Sequence, residues 1–419
     1  MTDAAERSNR KSANFSLGLL LSINLFNYID RYVLAAIEPR IAKEFFGPDD
    51  PNALQKTGSL ATAFIITYMI AAPIFGWLAD RMSRWLLVGI GVILWSLASG
   101  ASGLATTFSA LLITRLFVGI GEAGYGPAAP TIISDLYPIE KRGSVMAWFY
   151  MAIPVGSALG YAWGGKFDAW FGWRWAFYAV VPPGILLGIF SFFRRDIRPA
   201  KKRHRPGMKE YLALLRNKSY LLDCAGMTAM TFAIGGVSFW MPHYLSEYRR
   251  VGTLEHANFV FGVISAIAGV TATLLGGIAG DLLRRRMSGA YFIVSGVGIL
   301  ISCPFVLLML RLPFPGAWGA LFCAVFFLFF NTGPSNTILA NVTPSAVRAT
   351  AFAMNIFLIH ILGDAVSPPL LGRIVGTQQN WDRAFIVVTS IMAVAAMLWL
   401  WGACYLKEDT RRAAAADAA

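Results

Sequence analysis

Charge is what this sequence is short of. Only 14% of its 419 residues are Asp, Glu, Lys or Arg, whereas 56% are hydrophobic. A soluble domain carries about 25% charged residues. A chain this long folded in water would need charged surface on two or three domains, and the shortage excludes that. Cysteine is scarce too. Cys224, Cys303, Cys323 and Cys404 lie in apolar runs, with no C-x-x-C and no histidine at ligand spacing. That excludes a disulfide framework and a zinc site. No metal and no cofactor is expected. No nucleophile triad or carboxylate pair suggests an enzyme. Strand alternation is missing, which excludes a β-barrel. No small-residue cleavage site follows the first apolar run, so no signal peptide is expected.

What the chain has instead is apolar length. Crossing a bilayer as a helix takes about 20 residues, and every spanning backbone must satisfy its hydrogen bonds internally. The apolar stretches place twelve spans near 16–37, 57–79, 85–104, 109–133, 143–165, 174–193, 219–246, 257–281, 288–310, 316–340, 346–372 and 383–406. The expected fold class is an all-α polytopic membrane protein with twelve transmembrane helices.

The net charge of +13 then records topology rather than an acidic partner. With the N-terminus inside, the inner segments hold 24 Lys and Arg against 10 in the outer loops. By the positive-inside rule both termini are cytoplasmic. Ten of the inner charges fall in residues 194–218. That stretch reads either as a solvated linker or as an amphipathic segment on anionic membrane lipids. Nucleic acid is not expected as a partner.

The two halves repeat. Gly76-x3-Asp80-x3-Arg84, with Arg81 inside it, returns as Gly277-x3-Asp281-x3-Arg285 at an offset of 201 residues. Pro138-x3-Arg142 returns as Pro344-x3-Arg348 at 206, and Trp173 with Ala176-Phe177 returns as Trp381 with Ala384-Phe385 at 208. Three ordered matches imply a duplicated six-helix unit, a common plan among transporters. The expected organisation is a tail (1–15), a six-helix bundle (16–193), the basic linker (194–218), a second bundle (219–406) and a tail (407–419). Gly76 allows close helix approach. Asp80, Arg81, Arg84, Arg142, Asp281, Arg285 and Arg348 are candidates for a cytoplasmic charge clasp that holds one state and releases in another.

A charge at the bilayer centre costs about 2.5–3.5 kcal/mol on insertion scales, so intramembrane charges are functional candidates. The first span holds Asp30 and Arg31, with Asn24, Asn27 and Arg31 on one face. The fourth holds Arg115 and Glu122 two turns apart on one stripe. Asp30 with Arg115 and Arg31 with Glu122 are possible pairs, in either combination. They fit a static lock or a partner-exchanging proton site in which Asp30 or Glu122 protonates. The second half offers less. His360 and Asp364, at i and i+4, fit a helix-end hydrogen bond or a second titrating site. His243 and Glu247 share that spacing and fit gating or plain solvation. Asn331, Ser335, Asn336 and Asn341 fit either a cavity lining or a helix contact. Asp223 is expected to face the linker charges. The candidate substrate contacts are Asn27, Arg31, Arg115, Glu122, Asn331, Ser335 and His360.

Two motifs mislead. Gly119-x-Gly121-x-x-Gly124 matches a dinucleotide fingerprint but lies inside an apolar helix, and Gly160-x4-Gly165-Lys166 is followed by Phe167 where a P-loop needs Ser or Thr. Gly156, Gly160 and Gly164 read better as a packing face.

The duplicated Gly-x3-Asp-x3-Arg loops, twelve spans and central linker resemble the major facilitator superfamily over nearly the whole chain. The second copy has Leu282 where Arg81 stands, so its clasp is expected to be weaker. Asn27-Tyr28-Ile29-Asp30-Arg31-Tyr32 and Arg115-x3-Gly119-Ile120-Gly121-Glu122-Ala123 are shared by its sugar-acid symporters and its Spinster-like lipid transporters. Gly124-Tyr125, Ala129-Pro130-Thr131, Leu136-Tyr137-Pro138 and His360-Ile-Leu-Gly363-Asp364-Ala365 resemble the Spinster branch. That resemblance implies two pseudo-symmetric bundles and alternating access. It further implies proton-coupled export or flipping of lysophospholipids or sphingosine-type lipids, with roles for Asp30, Arg31, Arg115 and Glu122. The alternative is a proton-coupled symporter of organic anions such as sugar acids. A monomer in the bacterial inner membrane is expected.

Overall fold

The computed structural model describes residues 3–47, 50–79, 81–137, 145, 148–196, 214–344 and 347–418. All its regular elements there are helical. The first part comprises α1 (Asp3–Phe45), α2 (Ala53–Ala79), α3 (Arg84–Gly103), α4 (Phe108–Ala123), α5 (Ala128–Leu136), α6 (Ala152–Phe171), α7 (Trp173–Tyr178) and α8 (Val181–Phe192). Then follow α9 (Lys218–His243), a π-helical turn (Tyr244–Tyr248), α10 (Leu254–Arg284), α11 (Ala290–Arg311), α12 (Gly316–Phe329) and α13 (Thr332–Val342). The last are α14 (Arg348–Ile359), a second π-helical turn (His360–Asp364), α15 (Ser367–Val375), α16 (Trp381–Gly402) and α17 (Leu406–Ala418).

Among the described residues, 10 helices, some built of two elements in line, are long and apolar enough to cross a membrane. The expected spans 16–37 and 143–165 fall on α1 and α6, outside that ten. The first carries Asp30, Arg31 and two asparagines, and the second is rich in glycine. Several spans are interrupted where the sequence demands it. Gly124 to Pro127 separates α4 from α5, and α8 opens on Pro182 and Pro183. Proline lacks the N–H that would continue the ladder but suits a first turn.

The chain divides into two compact units. Unit 1 is Met1–Lys201 with Pro242–Gly262; unit 2 is Lys202–Met241 with Val263–Ala419. The stretch from Pro242, which the repeat places in the second half, thus belongs with unit 1. In unit 1, α1 packs chiefly on α6, and α4 packs on α2 and α3. The α1–α6 contact uses the expected glycine face. A Cβ on Gly156 would stand 2.6 Å from Tyr28 Cβ, and one on Gly160 2.7 Å from the Ile29 carbonyl. In unit 2, α11 packs against α12 and α16.

Both expected tails are helical where described. Residue Arg194 donates to Ser12 and Ser16 on α1. The final helix, α17, packs on α13, and its buried Asp409 accepts the Ser219 backbone N–H at 2.9 Å, capping α9. A carboxylate there satisfies a donor that the helix leaves open.

If the Gly160 contact sets the α1–α6 spacing, Gly160→Leu should cost about 1–3 kcal/mol through overpacking. Gly18→Ala, whose Cβ meets nothing within 4 Å, should leave the melting temperature in detergent unchanged or slightly higher.

Candidate functional site

Consecutive residues on a helix point about 100° apart, so Asp30 and Arg31 serve different neighbours. Arg31 faces α2 and α4. Its Nε and Nη2 donate to Glu122 Oε2 at 2.7 and 2.6 Å, with Glu122 fully buried. Its guanidinium also lies 5.1, 4.9 and 5.3 Å from the rings of Tyr28, Phe64 and Tyr68. Aromatic faces attract a cation that water no longer solvates. Asp30 faces α3 and α4. It accepts from the Ser99 hydroxyl and lies 3.9 Å from Arg115 Nη1. That separation is an ion pair without a hydrogen bond. Both side chains are 1% exposed.

The four charges sum to zero, but the two pairs are unequal. Arg31 and Glu122 are tightly joined. In the other pair, Asp30 Oδ2, Arg115 Nε and Arg115 Nη1 are buried without a hydrogen-bond partner, as are Glu122 Oε1 and Asn27 Nδ2. Buried polar groups are normally satisfied, so this site holds unused donors and acceptors.

The glycines of the false dinucleotide motif build it. A Cβ on Gly119 would stand 2.3 Å from the Phe64 carbonyl on α2. One on Gly121 would stand 2.5 Å from Trp95 N on α3. Any larger residue would push these helices away from α4. Their closeness brings Phe64, Tyr68 and Ser99 to the charges beside Glu122.

The clasp candidates resolve differently from the sequence pattern. Arg84 pairs with Asp135 at 2.7 Å and Asp196 at 2.7 Å, and Asp196 also accepts the Arg84 backbone N–H at 2.8 Å. Both acids were missed by motif reading. Their only signal was acidity at a span end. Gly76 approaches Pro127 to 4.0 Å, measured from a built Cβ. Arg81 covers the Trp77 ring at 3.9 Å. Asp80 and Arg142 lie outside the described residues. In the second copy Asp281 accepts from Tyr291 at 2.8 Å, Arg285 is exposed, and Arg348 donates to the Thr343 carbonyl at 3.2 and 3.1 Å.

In unit 2, His360 Nδ1 lies 3.0 Å from both Asp364 oxygens, within the π-helical turn. Asn331 donates to the Leu328 carbonyl at 2.7 Å and Ser335 to the Asn331 carbonyl at 2.9 Å, both side chains buried. Asn336 likewise turns to its own helix, donating to the Thr332 carbonyl at 2.8 Å. Asp223 does not face the linker. It is fully buried and accepts from Trp399 Nε1 at 3.0 Å. His243 and Glu247 do not pair with each other. Each meets a charge on α1 instead, Glu38 and Lys43 respectively.

A helical membrane protein with paired charges on its first and fourth spans fits a secondary transporter, and the comparisons agree. Residues 20–368 match the Major Facilitator Superfamily, and the chain belongs to that family of transporters. Within it the chain is of Spinster type. It is 33% identical to Protein spinster homolog 3 of Danio rerio, over 97% of this chain and 88% of that one. It is 34% identical to Protein spinster homolog 1 of Homo sapiens, over 95% and 82%. In fold it is similar to a bacterial homologue of the human lysosomal transporter Spinster, solved inward-facing and unoccupied. The TM-score is 0.83 at 20% identity, covering 95% and 98% of the two chains. A D-xylose–proton symporter scores 0.71 at 17% identity, covering 92% and 96%.

Removing one partner of a buried ion pair costs about 3–5 kcal/mol, because the other charge is left alone. Arg31→Met should therefore destabilise strongly, and Arg31→Met combined with Glu122→Gln should recover most of the loss. Thermal unfolding of the four proteins in detergent measures this cycle.

Proposed function

We propose that the chain carries lysophospholipids or sphingosine-type lipids across the bacterial inner membrane by alternating access, driven by protons. Both termini lie in the cytoplasm on this reading, and a monomer suffices. One observation carries it: a buried, net-neutral set of four charges in which one pair is tight and the other has unused hydrogen-bonding capacity.

An arginine guanidinium matches the geometry of a phosphate. A phosphate or zwitterionic head group drawn to Arg115 or Arg31 competes with the carboxylate already there. Asp30 or Glu122 then loses its counter-charge where an unpaired charge is costly, and a proton neutralises it. Head-group binding and proton binding become linked through a shared arginine. Asn27, one turn before Arg31 on α1 and beside Glu122, offers its amide to the same ligand. His360, part-exposed beside Asp364, is assigned a polar contact in unit 2. Asn331 and Ser335 bond to their own backbone, which suits helix contact more than ligand binding. Arg84 with Asp135 and Asp196 is assigned the charge clasp in place of the Asp80–Arg81 pattern alone.

Glu122→Gln and Asp30→Asn should abolish lysolipid flux driven by a pH gradient in proteoliposomes, compared at equal amounts of folded protein because each variant leaves an arginine unpaired. Retained gradient dependence in both variants overturns the coupling. Thermal stabilisation by lysophospholipids but not by sugar acids, compared across pH, separates the lipid reading from the organic-anion one.

A further inference from the structure

Glu38 lies two helical turns beyond Arg31 on α1, about 10.5 Å along the axis, and immediately before Pro39. It falls just past the expected first span. It is fully buried. Thr57 of α2 donates to its Oε1 at 2.6 Å, and His243 Nδ1 lies 2.5 Å from its Oε2. His243 is itself 7% exposed. Among the described residues no lysine or arginine reaches Glu38 at ion-pair distance.

The cations and acids on the surrounding elements are engaged elsewhere. Arg40 pairs with Asp168 at 2.8 Å, Lys43 with Glu247 at 2.8 Å and Lys56 with Asp50 at 2.7 Å. Lys166 pairs with Glu255 at 3.2 Å and Arg174 with Glu44 at 2.6 Å. Arg249 bonds the Tyr244 hydroxyl at 2.9 Å. Among the described residues, the formal charge of the buried cluster comes from Glu38 and His243. With the imidazole neutral and the carboxylate ionised, the cluster carries one uncompensated negative charge. With one more proton it carries none. A buried unpaired charge is costly, while a hydrogen-bonded neutral pair is not.

We propose that Glu38 and His243, with Thr57 as the second donor, form a proton-binding site separate from the Asp30–Glu122 cluster. Its occupancy governs how firmly Pro242–Gly262 is held in unit 1. The other holds on that segment do not titrate with histidine. They include the exposed pairs from Lys43 and Lys166, which add little in solvent, the Asn258 amide on the Ala36 carbonyl at 2.9 Å, and the buried Phe261 ring packed on Tyr161 at 5.0 Å. Taking up the proton removes a buried unpaired charge, so the cluster holds the segment more firmly at acid than at alkaline pH.

The test is thermal unfolding of the full-length protein from about pH 5 to 8. The proteins are wild type, Glu38→Gln, His243→Gln, the double variant and His256→Gln as control. The readout is stability, so it does not depend on the transported substrate. A coupling between Glu38 and His243 worth about 2–4 °C in Tm is expected at acid pH and should vanish at alkaline pH, with His256→Gln showing no such trend. A coupling that is absent, or that does not change with pH, overturns the proposal. Should either single variant fail to fold, Thr57→Val carries the test. Loss of its hydrogen bond to the carboxylate should displace the pH midpoint of the wild-type stability curve. An undisplaced midpoint overturns the proposal equally.

Discussion

The structure of unit 1 turns on pairing four charges inside the helix packing, three of them buried and Arg31 part-buried. Arg31 with Glu122 and Asp30 with Arg115 achieve this only if α1, α2, α3 and α4 approach closely enough for side chains to touch. Gly119 and Gly121 permit that approach on α4, and Gly156 and Gly160 permit it between α6 and α1. The aromatic rings around Arg31 supply the rest of its solvation. Each feature is ordinary alone. Together they make a cluster whose sum is zero while its pairwise satisfaction is uneven.

Unused hydrogen-bonding capacity inside a membrane protein has a cost, so its location is informative. Single atoms of this kind recur through both units, on Asp223, Ser295, Asn331 and Asn355 among others, but on Asp30, Arg115, Glu122 and Asn27 five of them fall on one charge cluster. Ser335 and Thr389 in unit 2 return their hydroxyls to their own helix backbones. A site waiting for a proton or an anionic head group has this character, and a purely structural ion pair does not. The Glu38–Thr57–His243 cluster differs again. Its carboxylate is satisfied at both oxygens, so its variable is the proton it holds rather than a ligand it could admit.

Much of this was legible in the chain itself. Apolar run lengths pointed to membrane-crossing helices, because a bilayer of fixed thickness demands them, and ten described helices meet that length and hydropathy. Asp30, Arg31, Arg115 and Glu122 stood out because charge in an apolar span is expensive. Sequence left the pairing open, since Asp30 and Arg31 are adjacent and either could meet either partner. It also gave no reason for the glycines of α4, and it misplaced Asp223, which sits against Trp399 rather than the linker.

Composition and periodicity thus determined the helical membrane fold class and picked out the unusual charges, since those follow from the one-dimensional cost of crossing a membrane. Tertiary structure alone decided which charge meets which. It assigned Arg84 to Asp135 and Asp196, gave His243 to Glu38 rather than to Glu247, and put Pro242–Gly262 with unit 1. Those choices depend on the packing and rotation of helices far apart in sequence, where a difference of one residue turns a side chain by about 100°.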